Sequence, residues 1–308
     1  MTIPRLHVLL STFNGETYLE ELLQSILHQS YSNFQLHIRD DGSGDTTPEI
    51  LRKYASLDKR IVIELGTNIG VQASFYEVLE KVDDAHGLYA FCDQDDIWQE
   101  HKLTIAVDAL NQSDNQDSTL YCSRLSCVDS ENRFLYDSAL ARDPGAFNAL
   151  VENSAIGCTC VFGHQLRCDF LRAKPEDMIM HDWWLYLCAA SNGTIIYDKV
   201  PRIRYRQHLN TATPREPGIS RLKNRFLGLL SRARKGNAGL DSLNQANKFV
   251  ATYPECTSDI KNTLHTLNNL HGYRNMLKRV EFALKTRMHR NDRLENIALK
   301  LVIIFDLH

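Results

Sequence analysis

The chain has 308 residues, with 43% hydrophobic and 24% charged side chains and a formal net charge of −3. This length allows one large core or one core with an appendage, and the composition is typical of a soluble globular protein. Because the net charge is close to zero, no global positive field predicts nucleic acid as a partner. The chain start does not resemble a signal peptide, and no apolar run approaches the roughly 18 residues that span a bilayer. We therefore expect a cytoplasmic protein.

Short apolar runs alternate with segments of helical periodicity from residue 6 to about residue 113. The pattern predicts strands over residues 6–11, 34–38, 61–65 and 88–92, and helices over residues 18–29, 46–57, 71–82 and 99–110. Alternation of this kind predicts a doubly wound α/β sheet with parallel strands and right-handed crossovers.

The pattern becomes mixed after residue 119. Short strands are predicted over residues 119–124, 158–162 and 194–197, with a helix over residues 183–191. Residues 210–218 are polar and contain two prolines, which is typical of a linker, and the chain beyond them has helical periodicity. We expect two parts, an α/β domain over residues 1–210 and a helical region over residues 211–308.

Polar and small residues follow four consecutive predicted strands. They are Ser11–Gly15, Asp40–Thr46, Asn68–Gly70 and Asp93–Asp96. The carboxyl ends of parallel strands gather at one edge of a sheet, where ligands bind in α/β folds. The run at 40–46 also suits a turn that caps the next helix, and the two roles are compatible.

The run Asp93-Gln94-Asp95-Asp96 places three carboxylates within four residues. Such carboxylates repel one another unless a positive group lies among them, and their oxygens are preferred ligands of Mg²⁺ and Mn²⁺. The alternative is that Asp95 and Asp96 only begin the following helix, where acids interact favourably with the helix dipole.

Two common nucleotide-binding motifs are absent. Gly42-x-Gly44 follows the second predicted strand rather than the first, and position 47 is Thr47 instead of a third small residue, so the dinucleotide fingerprint fails. No Gly-x-x-x-x-Gly-Lys-Ser/Thr run occurs, which excludes a P-loop.

The order and spacing of these motifs over roughly residues 5–210 resemble glycosyltransferase family 2, the inverting nucleotide-sugar transferases of GT-A fold. The resemblance rests on Leu9–Asn14, Asp40–Ser43, Asn68–Gly70 and Asp93–Asp96. The form Asp93–Trp98, together with His181–Trp184 and Tyr205–His208, is similar to the rhamnosyltransferase-type branch of bacterial surface-polysaccharide synthesis. It implies an α/β GT-A fold, with a doubly wound mixed sheet and a helical C-terminal extension.

The resemblance also implies roles by position. Nucleotide-sugar binding falls to Ser11, Phe13, Asn14, Asp40, Asp41, Asn68, Gly70, Asp93 and Gln94. Asp95 and His208 become ligands of a divalent cation, Mn²⁺ or Mg²⁺, with a contact to the diphosphate as the alternative for His208. Asp182 lies at the position where the family has its general base. The acceptor side is assigned to Gly157, Cys158, Thr159, Trp183 and Trp184.

Several of these residues have a simpler interpretation. Asp182 could cap the helix that follows it, His208 could be an ordinary loop histidine, and the two tryptophans could be packing residues rather than sugar-stacking platforms. Only their combination in the order of the family favours the functional interpretation.

The segment 219–235 combines an apolar helical face with Arg and Lys side chains and contains no acid. A helix of this kind lies on an anionic membrane surface, which would place the protein at the membrane periphery, near a lipid-linked acceptor. The alternative is a helix packed on the catalytic domain with a solvated basic rim.

We therefore expect a metal-dependent, inverting glycosyltransferase that moves a sugar from a nucleoside-diphosphate donor to a glycan hydroxyl. The branch resemblance favours dTDP-rhamnose as the donor. The alternatives are a UDP-hexose donor and a non-catalytic subunit that binds nucleotide sugars.

Overall fold

The computed structural model describes residues 4–208, 241–270 and 275–305. Its strands are β1 (Leu6–Thr12), β2 (Phe34–Asp40), β3 (Ile61–Leu65), β4 (Leu88–Cys92), β5 (Ile97–Trp98), β6 (Thr119–Ser123), β7 (Ser126–Val128), β8 (Phe134–Asp137), β9 (Val161–Gly163), β10 (Thr194–Asp198) and β11 (Ile203–Arg206). Its α-helices are α1 (Leu19–Leu27), α2 (Thr47–Leu57), α3 (Val71–Glu80), α4 (Lys102–Asn111), α5 (Ala146–Ala149), α6 (His164–Phe170), α7 (His181–Asn192), α8 (Asp241–Thr252), α9 (Ser258–Asn268), α10 (Met276–Lys285) and α11 (Arg293–Ile304). The predicted linker 210–218 and the basic segment 219–235 lie outside the described residues.

The larger sheet has the strand order β10-β6-β9-β4-β1-β2-β3. β4, β1, β2 and β3 run parallel, as predicted, and β9 runs antiparallel between β4 and β6. All five residues of β4 are buried, which explains its uninterrupted apolar sequence. Helix α1 packs an apolar face formed by Leu19, Leu22, Leu23 and Ile26 into the same core. The prediction of a doubly wound mixed α/β sheet is confirmed.

The predicted strand over 158–162 is shorter in the structure. A 3₁₀ turn occupies Gly157–Thr159, and β9 begins only at Val161. The Thr159 hydroxyl donates to the carbonyl of Ile156 at 2.7 Å. A local hydrogen bond of this kind competes with strand pairing, so this part of the apolar run turns before it joins the sheet.

A second, four-stranded sheet with the order β5-β11-β7-β8 was not predicted. Its strands are two to four residues long, too short for a recognisable alternation of polar and apolar residues. β11 pairs antiparallel with β5 and parallel with β7. Because β5 directly follows the acidic run and β11 ends at Arg206, this sheet joins two segments that carry candidate site residues.

The described residues divide into two compact units. Of the described residues, the first unit contains 4–140, 155–189 and 193–208, and the second contains 141–154, 190–192, 241–270 and 275–305. The second unit contains α8 to α11, which confirms the predicted helical C-terminal extension for the described residues. Within it, the ring of Phe249 in α8 stacks on the ring of Tyr253, which directly follows that helix, with centroids 4.5 Å apart. No helix in the described ranges is both long and apolar enough to cross a membrane.

Candidate active site

Parallel strands bring the predicted site residues of the first unit to one edge of the larger sheet. Thr12, at the end of β1, is paired with Asp40 at the end of β2, and Asp40 is paired with Leu65 at the end of β3. Leu10 of β1 is paired with Cys92 at the end of β4. The loops after these four strands therefore begin side by side, as the sequence predicted.

Gln94 connects the acidic run to the end of β1. Its Oε1 accepts from the Thr12 hydroxyl at 2.7 Å and from the Phe13 backbone N–H at 2.8 Å, while its Nε2 donates to the Phe13 carbonyl at 3.1 Å. The Phe13 ring is 43% exposed although it is a large apolar group. The amide of Gln94 thus holds the backbone of Phe13 in place. The exposed Phe13 ring offers a surface on which a planar base could stack.

Three other predicted nucleotide-binding residues at the ends of β1 and β2 form hydrogen bonds with neighbouring serine and glycine residues. The Ser11 hydroxyl donates to Ser74 at 2.6 Å, and Asn14 Oδ1 accepts from the Gly44 N–H at 2.9 Å. Asp40 is buried, and its carboxylate accepts from both the N–H and the hydroxyl of Ser43.

Asp41 organises the loop that contains Asn68 and Gly70. Its buried carboxylate pairs with Arg39 and accepts from the backbone N–H groups of Ile69 and Gly70 at 3.0 Å each. Gly42 has φ 80°, and a Cβ there would lie 2.9 Å from the Asn68 nitrogen, so the close approach of the two loops requires glycine. Asn68 itself is exposed at the sheet edge.

Asp95 and His208 meet, although 113 positions separate them in the chain. The distance from Asp95 Oδ2 to His208 Nε2 is 2.8 Å, and each side chain is 17% exposed. One carboxylate oxygen and one imidazole nitrogen are therefore adjacent and accessible. Mn²⁺ accepts both ligand types, so this pair fits a divalent cation.

Asp93 and Asp96 lie deeper, next to Cys158. One ligand atom from each of these three residues lies within 4.8 Å of the others. Burial, with added repulsion from Asp95 and Asp182, raises the pKa of Asp93 to about 7. Burial also raises the pKa of Asp96 and of the Cys158 thiol well above their usual ranges. A protonated thiol is a poor ligand for a hard cation, so the inner cluster fits such a cation less well than Asp95 and His208 do.

The sequence interpretation missed Lys102, the first residue of α4. This lysine is fully buried, and its ammonium lies 3.5 Å from the centroid of the Trp98 ring. Burial lowers the pKa of Lys102 to about 8, while nearby groups that include Asp96 oppose that shift. The sequence does show Trp98 and Lys102 four positions apart, shortly after the acidic run. A lysine early in a predicted helix is usually exposed to solvent, so this spacing did not indicate a buried side chain.

Asp182 lies in the first turn of α7, not at its N-cap, which is Met180. Its side chain is buried, and Oδ2 accepts from the Gly157 N–H at 2.8 Å. Oδ1 has no hydrogen-bond partner among the described residues. Gly157 directly precedes Cys158, whose ligand atom lies within 4.8 Å of those of Asp93 and Asp96, so the bond to Gly157 brings Asp182 to the neighbourhood of the acidic run. Oδ1 is itself buried. A carboxylate held through one oxygen can accept a proton at the other, and an acceptor hydroxyl reaches this oxygen only when the side chains that cover it move.

His181, the neighbour of Asp182, is part of the packing beneath it. Its ring stacks on Phe75 with centroids 3.9 Å apart and meets the edge of Phe91 at 4.8 Å. Burial lowers the pKa of His181 to about 4, so the ring is neutral near pH 7.

The five residues predicted for the acceptor side differ in their accessibility. Cys158, Thr159 and Trp184 are fully buried, whereas Trp183 is half-buried. Gly157 contributes its N–H to Asp182, as described above. Any part that the buried side chains play at the acceptor side is therefore through packing beneath its surface, and Trp183 is the aromatic ring with exposed area.

Comparisons with known proteins agree with this geometry. The model of the family "Glycosyl transferase family 2" matches residues 7–172, more than half of the chain. The chain belongs to glycosyl transferase family 2. It is a glycosyltransferase, and the resemblance inferred from the motifs is confirmed. The family match covers the acidic run and the turn at Gly157, and it ends before Asp182.

Two relatives of this chain indicate which kind of glycosyltransferase it is most similar to. The chain is 29% identical to the dTDP-rhamnosyl transferase RfbG of Shigella flexneri over 215 residues, which are 65% of this chain and 72% of the relative. It is 37% identical to the putative teichuronic acid biosynthesis glycosyltransferase TuaG of Bacillus subtilis over 102 residues, which are 32% of this chain and 39% of the relative. The chain is thus a rhamnosyltransferase-like family 2 protein.

Among solved structures, S. aureus TarS 1-349 in complex with UDP-GlcNAc superposes with a TM-score of 0.59 at 15% identity. The match covers 98% of this chain and 80% of the TarS chain. At this identity the similarity concerns the fold, and it confirms the GT-A architecture.

Proposed function

We propose that this glycosyltransferase transfers a sugar, with inversion, from a nucleoside-diphosphate donor to a hydroxyl of a glycan acceptor in surface-polysaccharide synthesis. The observation that carries the proposal is the Asp182 carboxylate, which is anchored by the Gly157 N–H and unpaired at Oδ1. Inversion requires one base on the side of the sugar opposite the leaving group, and a single positioned carboxylate meets that need.

The proposed binding of the donor is supported by the residues at the carboxyl ends of the parallel strands. The exposed Phe13 ring, held in place by Gln94, offers a stacking surface for a base, and the buried Asp40 carboxylate lies at the end of the neighbouring strand. Similarity to a dTDP-rhamnosyl transferase favours dTDP-rhamnose as the donor, and the UDP-GlcNAc complex of TarS, a protein of the same fold, supports the wider class of nucleoside-diphosphate sugars.

In the proposed reaction the acceptor hydroxyl gives its proton to Asp182 Oδ1 as its oxygen bonds to the anomeric carbon. The bond from that carbon to the diphosphate oxygen breaks, and the nucleoside diphosphate leaves with the electron pair. Asp95 and His208 would hold Mn²⁺ or Mg²⁺, which as a Lewis acid stabilises the charge of the departing diphosphate. Gly157 keeps Asp182 in place through the N–H donated to Oδ2.

The test is a screen for donor hydrolysis and transfer across dTDP, UDP and GDP sugars, with Mn²⁺, with Mg²⁺ and with excess chelator. We expect turnover with dTDP-rhamnose that depends on the cation and is roughly 10²–10⁴-fold slower in Asp182→Asn. Asp114→Asn, in an exposed turn of the same unit, is the matched control. Turnover only with a UDP-hexose would show that the donor is a UDP-hexose and not dTDP-rhamnose. Binding without turnover of any donor would indicate a non-catalytic subunit.

A further inference from the structure

Arg206 is the last residue of β11 and one of the largest fully buried side chains of the described residues. Its Nε donates to the backbone carbonyl of Asp95 at 3.0 Å, and a second guanidinium nitrogen donates to the carbonyl of Ser130 at 2.8 Å. A third forms an ion pair with Glu21 at 2.5 Å. The Arg206 backbone N–H also donates to Asp96 Oδ1 at 3.3 Å. Arg206 therefore binds two consecutive residues of the acidic run.

The same guanidinium reaches His208 through an aromatic ring. Its central carbon lies 4.4 Å from the centroid of the Tyr18 ring, and Tyr18 contacts the His208 ring with centroids 5.1 Å apart. His208 in turn contacts Asp95 Oδ2 at 2.8 Å. The contacts form a closed circuit from Arg206 through Tyr18, His208 and Asp95 back to Arg206.

This circuit fixes both members of the Asp95–His208 pair. The bond to the Asp95 carbonyl sets the backbone from which the carboxylate projects, and Tyr18 limits the rotation of the imidazole. A guanidinium is suited to this task because it is planar and carries five donors in a fixed arrangement, so it can bind carbonyl and carboxylate groups and lie on an aromatic face simultaneously. A lysine in its place would keep the charge but lose that arrangement.

We propose that Arg206 is a positioning residue that holds Asp95 and His208 in the geometry that binds the divalent cation. The inference rests on the proposed function, because it assigns the cation to this pair. Loss of groups that orient metal ligands typically weakens metal binding by roughly 10–100-fold. Arg206→Met should therefore raise the Kd for Mn²⁺ by roughly that factor.

Mn²⁺ binding is measured on the full chain from the loss of the free-ion EPR signal, with Mn²⁺ alone and with Mn²⁺ plus dTDP against a nucleotide blank. Arg204→Met is the matched control, since Arg204 lies on the same strand but is exposed and contacts Asn132 instead. We expect a weaker Mn²⁺ affinity in Arg206→Met, a partial recovery in Arg206→Lys, and no change in Arg204→Met. In turnover assays, raising the Mn²⁺ concentration should restore most of the kcat of Arg206→Met.

If Arg206→Met does not fold, Glu21→Gln carries the test. The Glu21 side chain is 47% exposed, so its replacement removes one partner of Arg206 without opening a cavity. It should raise the Mn²⁺ Kd severalfold. Unchanged Mn²⁺ affinity in both variants, with tight binding by the unmodified chain, would overturn the inference and leave the proposed function standing. Absence of Mn²⁺ binding by the unmodified chain would overturn the inference together with the metal part of the proposed function.

Discussion

The Asp182 carboxylate accepts the Gly157 N–H at 2.8 Å through Oδ2, while Oδ1 has no hydrogen-bond partner among the described residues. The 3₁₀ turn at Gly157–Thr159 and the first turn of α7 are thus joined at a single carboxylate. This arrangement fixes the direction of the buried, unpaired Oδ1 and is the basis of the first two predictions.

Asp182→Asn should lower kcat by roughly 10²–10⁴-fold, because the amide cannot take the acceptor proton. Its carbonyl oxygen can still accept the Gly157 N–H, so the fold and the affinity for the nucleotide should change little. Single-turnover kinetics and nucleotide titration separate these two quantities. A variant with normal kcat would show that Asp182 is not the base.

Gly157→Ala should also reduce turnover, although alanine adds only a methyl group. A Cβ at this position would lie 3.0 Å from His181 Nε2 and 3.3 Å from the Asp182 Cβ, so the start of α7 must move. We expect a lower kcat with nearly unchanged nucleotide affinity. Gly145→Ala, where a Cβ meets nothing within 4 Å, serves as the control, and equal effects of the two variants would argue against the positional role of Gly157.

Asp95→Asn and His208→Ala should each raise the Mn²⁺ concentration that turnover requires. Asp95 Oδ2 and His208 Nε2 are 2.8 Å apart, and each variant removes one of these two proposed ligands. We expect each single variant to lose most activity and the double variant to lose little more, because groups that act as a unit are not additive. Full activity of the unmodified chain in excess chelator would contradict a metal requirement.

The buried ring of His181 should make the protein sensitive to acid. Its folded-state pKa of about 4 lies below the usual value of 6.5, so the folded state favours the neutral ring. Its contribution to stability is therefore complete above about pH 6.5 and is lost as the pH falls towards about 4. His181→Leu keeps an apolar side chain against Phe75. Its Tm should fall less than that of the unmodified chain when the pH is lowered from about 7 to about 4.5.

The exposed His28 provides the control for that comparison. His28→Leu should show the same loss of Tm on acidification as the unmodified chain. An identical pH profile for His181→Leu would exclude His181 as a source of the acid sensitivity.

The sequence predicted the parallel strands and the gathering of their ends, because both depend on local features. The apolar run of β4 and the polar residues that follow it are contiguous, and the parallel sheet brings such ends together without any further information. The acidic run stands out in the sequence by itself, whereas Asp182 and His208 were proposed only from the resemblance to the family, and their roles stay predictions.

The contacts of Arg206 could not be predicted in the same way. Its partners Asp95 and Glu21 lie 111 and 185 positions away, and β5 and β11, which bring these segments together, are too short to show a periodic pattern. Lys102 was missed for a related reason. Its burial over the Trp98 ring results from tertiary packing, whereas the sequence shows only a charged residue at the start of a helix.

The most direct test of the central claim is the anomeric configuration of the product, determined by NMR after transfer from a nucleoside-diphosphate sugar to an acceptor glycan. A single displacement assisted by Asp182 predicts a glycosidic linkage with the configuration opposite to that of the donor, and formation of the same product roughly 10²–10⁴-fold more slowly in Asp182→Asn. A linkage that retains the configuration of the donor would contradict the account, because it would require a different mechanism.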